Sequence, residues 1–152
     1  DYVLHLEGQV IPIEKGRFFG SDVDGRMIDI AGKNVTKAGF ETVIDIKQCS
    51  VGDVKPADDE TAPYRLVVCN PPYGERMGKG DGLDELYRQL GQTLRSRFPE
   101  TRCGVLAGET APIKVIGLKS NRRTALRNGS IPCHLVEYEI FSHERRREQG
   151  SP

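Results

Sequence analysis

The chain has 152 residues, of which 37% are hydrophobic, and both values are typical of a single domain of ordinary size. Its 22 basic and 22 acidic residues give a formal net charge of zero, which excludes a uniformly basic nucleic-acid-binding protein. No apolar run approaches the ~18–20 residues of a membrane span, and no signal peptide is visible at the start. We therefore expect a cytoplasmic protein without a membrane partner.

The cysteines and histidines do not indicate a metal site. The four cysteines are far apart and follow no zinc-ligand spacing, and the three histidines form no cluster. We expect the cysteines to be small buried thiols in a reducing compartment.

Strands and helices alternate in the first half of the chain. Hydrophobic patterns predict strands over residues 2–6, 17–23 and 42–47, and a helix over residues 26–38 that ends at Gly39. The second strand ends in two acidic residues, Asp22 and Asp24. A loop that contains Asp53 follows the third strand.

The second half begins with an apolar run at residues 65–69 that predicts a buried strand. An amphipathic helix is predicted over residues 83–98 and a strand over residues 103–107, while residues 112–116 fit either a short helical turn or a strand. Residues 119–126 and 131–141 flank Asn128-Gly129, a dipeptide that favours a hairpin turn. The last residues, 142–152, are charged and predict a disordered tail.

Repeated strand–helix units predict a Rossmann-like α/β fold, with a mainly parallel sheet closed by a C-terminal antiparallel hairpin. In such sheets, ligands bind beyond the carboxyl ends of the strands. Asp22, Asp24, Asp53 and Asn70 all lie at or beyond the carboxyl ends of predicted strands. We therefore expect them to contribute to one shared site.

The most informative feature is an Asn-Pro-Pro-Tyr motif at residues 70–73, directly after a predicted strand. Prolines fix φ and lack a backbone donor, so the carbonyls of Pro71 and Pro72 are expected to be available as acceptors. The side chain of Asn70 offers another acceptor, and Tyr73 offers a stacking face. This combination is suited to holding the exocyclic amine of a planar base while a methyl group is delivered to it.

Basic residues are concentrated near the C-terminal end. From residue 111 onward there are eight basic residues and four acidic ones, a local net charge of +4. Two interpretations stay open: a solvated hairpin face with a charged tail, or a surface that contacts nucleic acid.

The pattern as a whole resembles the class I, S-adenosylmethionine-dependent methyltransferases that modify exocyclic amines. Within them it is most similar to the bacterial 23S rRNA guanine-N2 methyltransferases, whose relatives usually carry an RNA-binding THUMP domain. The resemblance covers about residues 17–141. It rests on residues 19–24, 26–28, 31–34, 47–48, 51–53, 70–78, 86–87, 90–91 and 126–129, with Cys133 and Tyr138.

This resemblance implies a methyltransferase catalytic domain over residues 1–141, with ribosomal RNA as the substrate and further domains in the same protein. The implied cofactor is S-adenosylmethionine. Asp22 or, as a fallback, Asp24 would accept hydrogen bonds from its ribose hydroxyls, and Asp53 would accept one from its adenine amine. Gly8 and Asn70 also border the cofactor in this interpretation. The implied catalytic residues are Asn70, Pro71, Pro72 and Tyr73, and the implied RNA-binding residues are Arg76, Lys79, Arg122 and Arg123.

The segment at residues 3–9 departs from the family pattern. His5 stands where the family has an acid, and Gly8 is the one loop glycine left, so we expect a truncated or altered first motif. Two alternatives therefore stay open. One is a catalytically inactive RNA-binding module of the same fold, and the other is an adenine-N6 methyltransferase acting on DNA or RNA.

Overall fold

A computed structural model describes residues 18–56, 66–73 and 82–142 of the chain. These residues belong to two compact units, Asp1–Ser50 and Val51–Pro152. The strand predicted at residues 2–6 and the tail beyond Ser142 lie outside the described residues. Within those residues, no helix has the length and apolar character needed to cross a membrane.

The first unit is one strand–helix–strand crossover. Its elements are β1 (Phe18–Asp22), α1 (Gly25–Ala38) and β2 (Ile44–Gln48), and the two strands pair in parallel. Asp24 caps the helix N-terminus by accepting a hydrogen bond from the amide of Arg26 at 2.9 Å. Gly39 ends the helix in the left-handed conformation, at φ 73°. The predicted crossover and the predicted stop at Gly39 are confirmed.

The second unit contains a four-stranded sheet with a helix before its second strand. The elements are β3 (Leu66–Cys69), α2 (Leu83–Arg97), β4 (Thr101–Gly108), a 3-10 helix (Ile113–Ile116), β5 (Ser120–Asn128) and β6 (Ile131–Ile140). The strand order is β3-β4-β6-β5; β3 and β4 are parallel, and β6 is antiparallel to both of its neighbours. The predicted combination of parallel pairing and a C-terminal antiparallel hairpin is confirmed.

Helix α2 supplies the main apolar face of this unit. Tyr87, Leu90 and Leu94 are buried, as the helical spacing of the predicted apolar face requires. They pack against alternate residues of β4 and β6, among them Val105 and Tyr138. The core of the second unit therefore lies between α2 and one face of the sheet.

The 3-10 helix lies directly against α2. A Cβ atom added to Gly91 would overlap the backbone carbonyl of Ile116, so only glycine permits this approach. Arg95, one turn further along α2, donates hydrogen bonds to the carbonyls of Ile116 at 3.2 Å and Gly117 at 3.3 Å. The segment that fits either a helical turn or a strand by sequence is therefore a helical turn, and it packs on α2.

The prediction that residues 65–69 form a buried strand is wrong for one of its faces. Val67 and Cys69 pack against the core, but Leu66 is 61% exposed and Val68 is 68% exposed. Successive side chains of a strand point to opposite faces, and within this unit the described core covers only one face of β3. A continuous apolar run does not by itself distinguish burial on both faces from burial on one.

Candidate functional site

Asp22 is the last residue of β1, and its carboxylate is exposed. Its Oδ1 atom accepts the backbone N–H of Asp24 at 2.8 Å, and its own carbonyl accepts the N–H of Cys49 at 2.9 Å. Among the described residues, no partner occupies its Oδ2 atom. The strand end thus holds the carboxylate in place and leaves one of its oxygens available as an acceptor.

Asp24 is engaged within its own helix. Besides capping α1, its carboxylate forms an ion pair with Arg26, with 2.7 Å between Oδ2 and Nη2. Hydrogen bonding from Arg26 lowers the pKa of Asp24 below its usual value. An external ligand would have to compete with the cap and the guanidinium, so Asp22 is better suited than Asp24 to bind one.

Asp53 lies in an exposed turn of the second unit that helix α2 anchors on both sides. A Cβ atom added to Gly52 would overlap the side chain of Gln89, so the turn touches the helix there. Beyond Asp53, the guanidinium of Arg97 donates to the carbonyl of Val54 at 2.6 Å. Both contacts involve the main chain of the turn, and the side chain of Asp53 is exposed.

The Asn-Pro-Pro-Tyr motif leaves the end of β3. Asn70 is exposed, and the following residues, Pro71 to Tyr73, are half-buried. The carbonyl of Pro72 accepts the hydroxyl of the buried Tyr87 at 3.4 Å, so one of the two lone pairs of this oxygen is already engaged. No described residue hydrogen-bonds the side chain of Asn70 or the carbonyl of Pro71. These two groups are the acceptors that the motif presents.

Tyr73 is fixed by the strands of the second sheet. A Cβ atom on Gly108 would overlap the tyrosine ring and come within 2.9 Å of its Cγ atom, so the ring rests on the glycine backbone. The tyrosine hydroxyl accepts the side-chain amide of Asn128 at 2.9 Å and lies 3.5 Å from Sγ of Cys133. The ring therefore has one defined orientation.

The predicted RNA-binding arginines of the hairpin lie on β5, which forms one edge of the described sheet. Arg122 is 3.8 Å from a carboxylate oxygen of Glu137, and Arg123 is 3.2 Å from Nδ1 of His134. Both arginines are exposed, and in water such contacts are weak enough to exchange for a phosphate. Gly8, Arg76 and Lys79, the other predicted site residues, lie outside the described residues.

Thiol and phenol side chains are buried in the core of the second unit. Cys103 and Cys133 are buried as expected, whereas Cys49 and Cys69 are half-buried. A hydrogen bond with Cys69, together with burial, raises the pKa of Cys103 well above its usual value, which keeps that thiol protonated. Burial raises the pKa of Tyr138 to about 12, so its phenol is neutral at physiological pH.

Four residues that contact the motif were not assigned a role from the sequence. Tyr87, Asn128 and Cys133 are among the residues that match the family pattern, but the sequence predicted no contact between them and the motif. Gly108 was not singled out. Their contacts join residues that are far apart in the chain, with 55 positions between Tyr73 and Asn128, and no local periodicity reports them.

Comparison with known proteins places this geometry in a family. The family UPF0020, described as an RMKL-like methyltransferase domain, matches residues 5–137. The chain is 33% identical over 134 residues to the ribosomal RNA large subunit methyltransferase K/L of Hahella chejuensis, and 34% identical over 122 residues to that of Hydrogenovibrio crunogenus. These matches cover 88% and 80% of the chain but only 18% and 16% of the relatives.

Solved structures agree with this assignment. The chain is 31% identical to SMU.472, described as a methyltransferase complexed with SAH, with a TM-score of 0.70 over 83% of this chain and 32% of that one. It is 30% identical to a protein of Listeria monocytogenes described as an N6-adenine-specific DNA methylase. That match has a TM-score of 0.65 and covers 80% of this chain and 30% of that one.

The two buried tyrosines of the second unit provide a matched test of the contact with Pro72. Replacing Tyr87 with Phe removes a hydrogen bond, and we expect it to lower the free energy of unfolding by about 1 kcal/mol. Replacing Tyr138 with Phe removes a buried hydroxyl that has no partner among the described residues, so stability is expected to stay equal or rise. Urea unfolding followed by circular dichroism measures both; equal losses in the two variants would contradict the assigned bond.

Proposed function

The chain belongs to the family of RMKL-like methyltransferase domains, and from this premise we propose that it methylates the exocyclic N2 amine of a guanine in ribosomal RNA. Its cofactor is S-adenosylmethionine. The observation that carries the proposal is the state of the motif: Asn70 and the Pro71 carbonyl are available as acceptors beside a fixed Tyr73. The names of the relatives support ribosomal RNA as the substrate class.

The proposed chemistry depends on what two acceptors do to an aromatic amine. The lone pair of a guanine amine is delocalised into the ring, which makes the nitrogen a weak nucleophile. When Asn70 and the Pro71 carbonyl accept its two hydrogens, they favour the pyramidal form, in which the lone pair is localised on nitrogen. The nitrogen would then form a bond to the methyl carbon as the bond from that carbon to the cofactor sulfur breaks, which leaves S-adenosylhomocysteine, and the surplus proton on nitrogen would pass to water. No strong general base is required before that bond forms.

Tyr73 is proposed to stack on the target base. A base must leave its RNA helix before its amine can reach a pocket, and an aromatic face compensates for the lost stacking. The ring rests on Gly108 and its hydroxyl is engaged, so its orientation is set before the base arrives. This arrangement favours a planar base as the substrate.

Bound S-adenosylmethionine supplies the methyl group as an electrophilic sulfonium methyl. We propose that Asp22 accepts the ribose hydroxyls, because its carboxylate is exposed whereas that of Asp24 is paired with Arg26. Asp53 is proposed to accept from the adenine amine, and Gly8 to let the backbone approach the methionine part. Residues 1–141 would carry out the transfer in the cytoplasm, and an additional THUMP-type domain would select the RNA.

The product nucleoside tests the proposed substrate. Incubating the chain with ribosomal RNA and methyl-labelled S-adenosylmethionine, followed by digestion and mass spectrometry, is expected to yield N2-methylguanosine. N6-methyladenosine would instead support the second candidate, adenine-N6 methylation, which the resemblance to the Listeria protein favours. Absence of both product and cofactor binding would support an inactive RNA-binding module.

Two single substitutions separate the two halves of the proposed reaction. Asn70→Ala is expected to lower methyl transfer at least 100-fold while leaving the dissociation constant of S-adenosylmethionine within about twofold, because Asn70 is proposed to act mainly on the base. Asp22→Ala is expected to weaken cofactor binding at least tenfold, the loss for a charged hydrogen bond. Titration calorimetry and a transfer assay measure the two effects. Equal loss of both properties in Asn70→Ala would mean that Asn70 is structural.

We also propose that Arg122 and Arg123 of β5, together with Arg76 and Lys79, contact RNA phosphates. Replacing Arg122 and Arg123 with Ala should reduce the slope of log K against log salt by roughly 0.7–0.9 for each phosphate that is no longer neutralised. Binding to labelled ribosomal RNA at several salt concentrations measures the slope. Lys33→Ala, an exposed change in α1, is the control; an equal change there would show only a general effect of charge.

A further inference from the structure

The Asn128 side chain has a contact that the hairpin turn does not explain. Gly129 adopts a positive φ of 61°, and among the described non-glycine residues only Glu100 does so, so Asn128 has an ordinary strand conformation. A turn with glycine at its first central position has the type II′ pattern and places no demand for asparagine on the residue before it. The tolerance of asparagine for left-handed backbone is therefore not used at position 128.

The side-chain amide of Asn128 is instead directed to the catalytic motif. Its Nδ2 atom donates to the hydroxyl of Tyr73 at 2.9 Å, a normal length for such a bond. Asn128 is the last residue of β5 and pairs with Ile131 across the turn. The tip of the hairpin is thereby connected to the residue that follows Pro72.

Two other strands complete the support of the ring. Gly108 ends β4 beneath the ring, and Cys133, its partner in the β4–β6 register, is 3.5 Å from the tyrosine hydroxyl. Tyr73 is thus in contact with β4, β5 and β6 at once. Only the bond to Asn128 involves an amide donor, and the Cys133 thiol is a weak one.

We propose that Asn128 is a positioning residue, which holds the ring of Tyr73 in the orientation that receives the target base. The inference rests on the proposed function, since it assigns the ring to base stacking. A tyrosine that is held before the base arrives loses no side-chain freedom when the base binds. Asn128 itself does not touch the substrate and contributes through Tyr73 alone.

The first test measures the contact and does not depend on activity. In the 15N-labelled chain, Tyr73→Phe is expected to shift the side-chain amide resonances of Asn128. Asn121, an asparagine near the other end of β5 that bonds Glu139, is the internal control and should not shift. Unchanged Asn128 resonances would overturn the proposal, whether or not the chain methylates RNA.

The second test is a double-mutant cycle in methyl transfer. Asn128→Ala and Tyr73→Phe are each expected to lower kcat about three- to tenfold, the range for one uncharged hydrogen bond, and the double variant should be no worse than either one. The dissociation constant of S-adenosylmethionine should stay near that of the parent chain, and the free energy of unfolding should fall by no more than about 1 kcal/mol. Asn121→Ala is the matched control and should retain full activity.

The outcomes separate failure of this inference from failure of the proposed function. Additive losses in the double variant, or full activity of Asn128→Ala, would overturn the positioning role. A parent chain that shows no transfer would refute the proposed function. In that case the amide shifts still decide whether Asn128 holds Tyr73.

Discussion

The packing of Tyr87 between α2 and the sheet is the interaction on which the second unit depends. Its side chain is fully buried in the main apolar cluster, and its hydroxyl reaches the carbonyl of Pro72. A residue that fills the core therefore also forms a hydrogen bond with the motif. Because protein interiors are close-packed, a shift of α2 would be transmitted to the motif. Gly91 contributes to the same packing by letting the helix meet the carbonyl of Ile116.

The motif combines fixed and available groups. Pro72 and Tyr73 are bonded to α2 and to the strands, whereas Asn70 and the carbonyl of Pro71 have no described partner. Binding groups that are held by rigid elements bind ligands without first losing conformational freedom. The first unit shows the same division. The carboxylate of Asp24 is engaged by the helix cap and by Arg26, whereas Asp22 keeps one available oxygen.

Local patterns were sufficient to predict much of this fold. The spacing of apolar residues predicted α2 closely, and glycine chemistry located the end of α1 at Gly39 and the hairpin turn at Gly129. The insertion of β6 between β4 and β5 was not predicted, because strand order depends on pairing between distant segments. The exposure of Leu66 and Val68 was missed for a related reason, since a short apolar run does not show how many of its faces are covered.

The site was predicted to the extent that its chemistry is local. The hydrogen-bond acceptors and the aromatic ring of residues 70–73 occupy four consecutive positions, so the sequence alone shows that they lie near one another. Their supports, Tyr87, Gly108 and Asn128, come from three separate elements and are joined to the motif only by folding.

This contrast bears on the choice between an enzyme and a binding module. A module that only preserved the fold would need Tyr87 and Gly108, which the packing requires. The packing does not need Asn70, whose exposed side chain stabilises no described part of the structure. The amide of Asn70 and the carbonyl of Pro71, beside a fixed aromatic ring, therefore support the proposed binding of an amine. Packing alone does not account for these two acceptors.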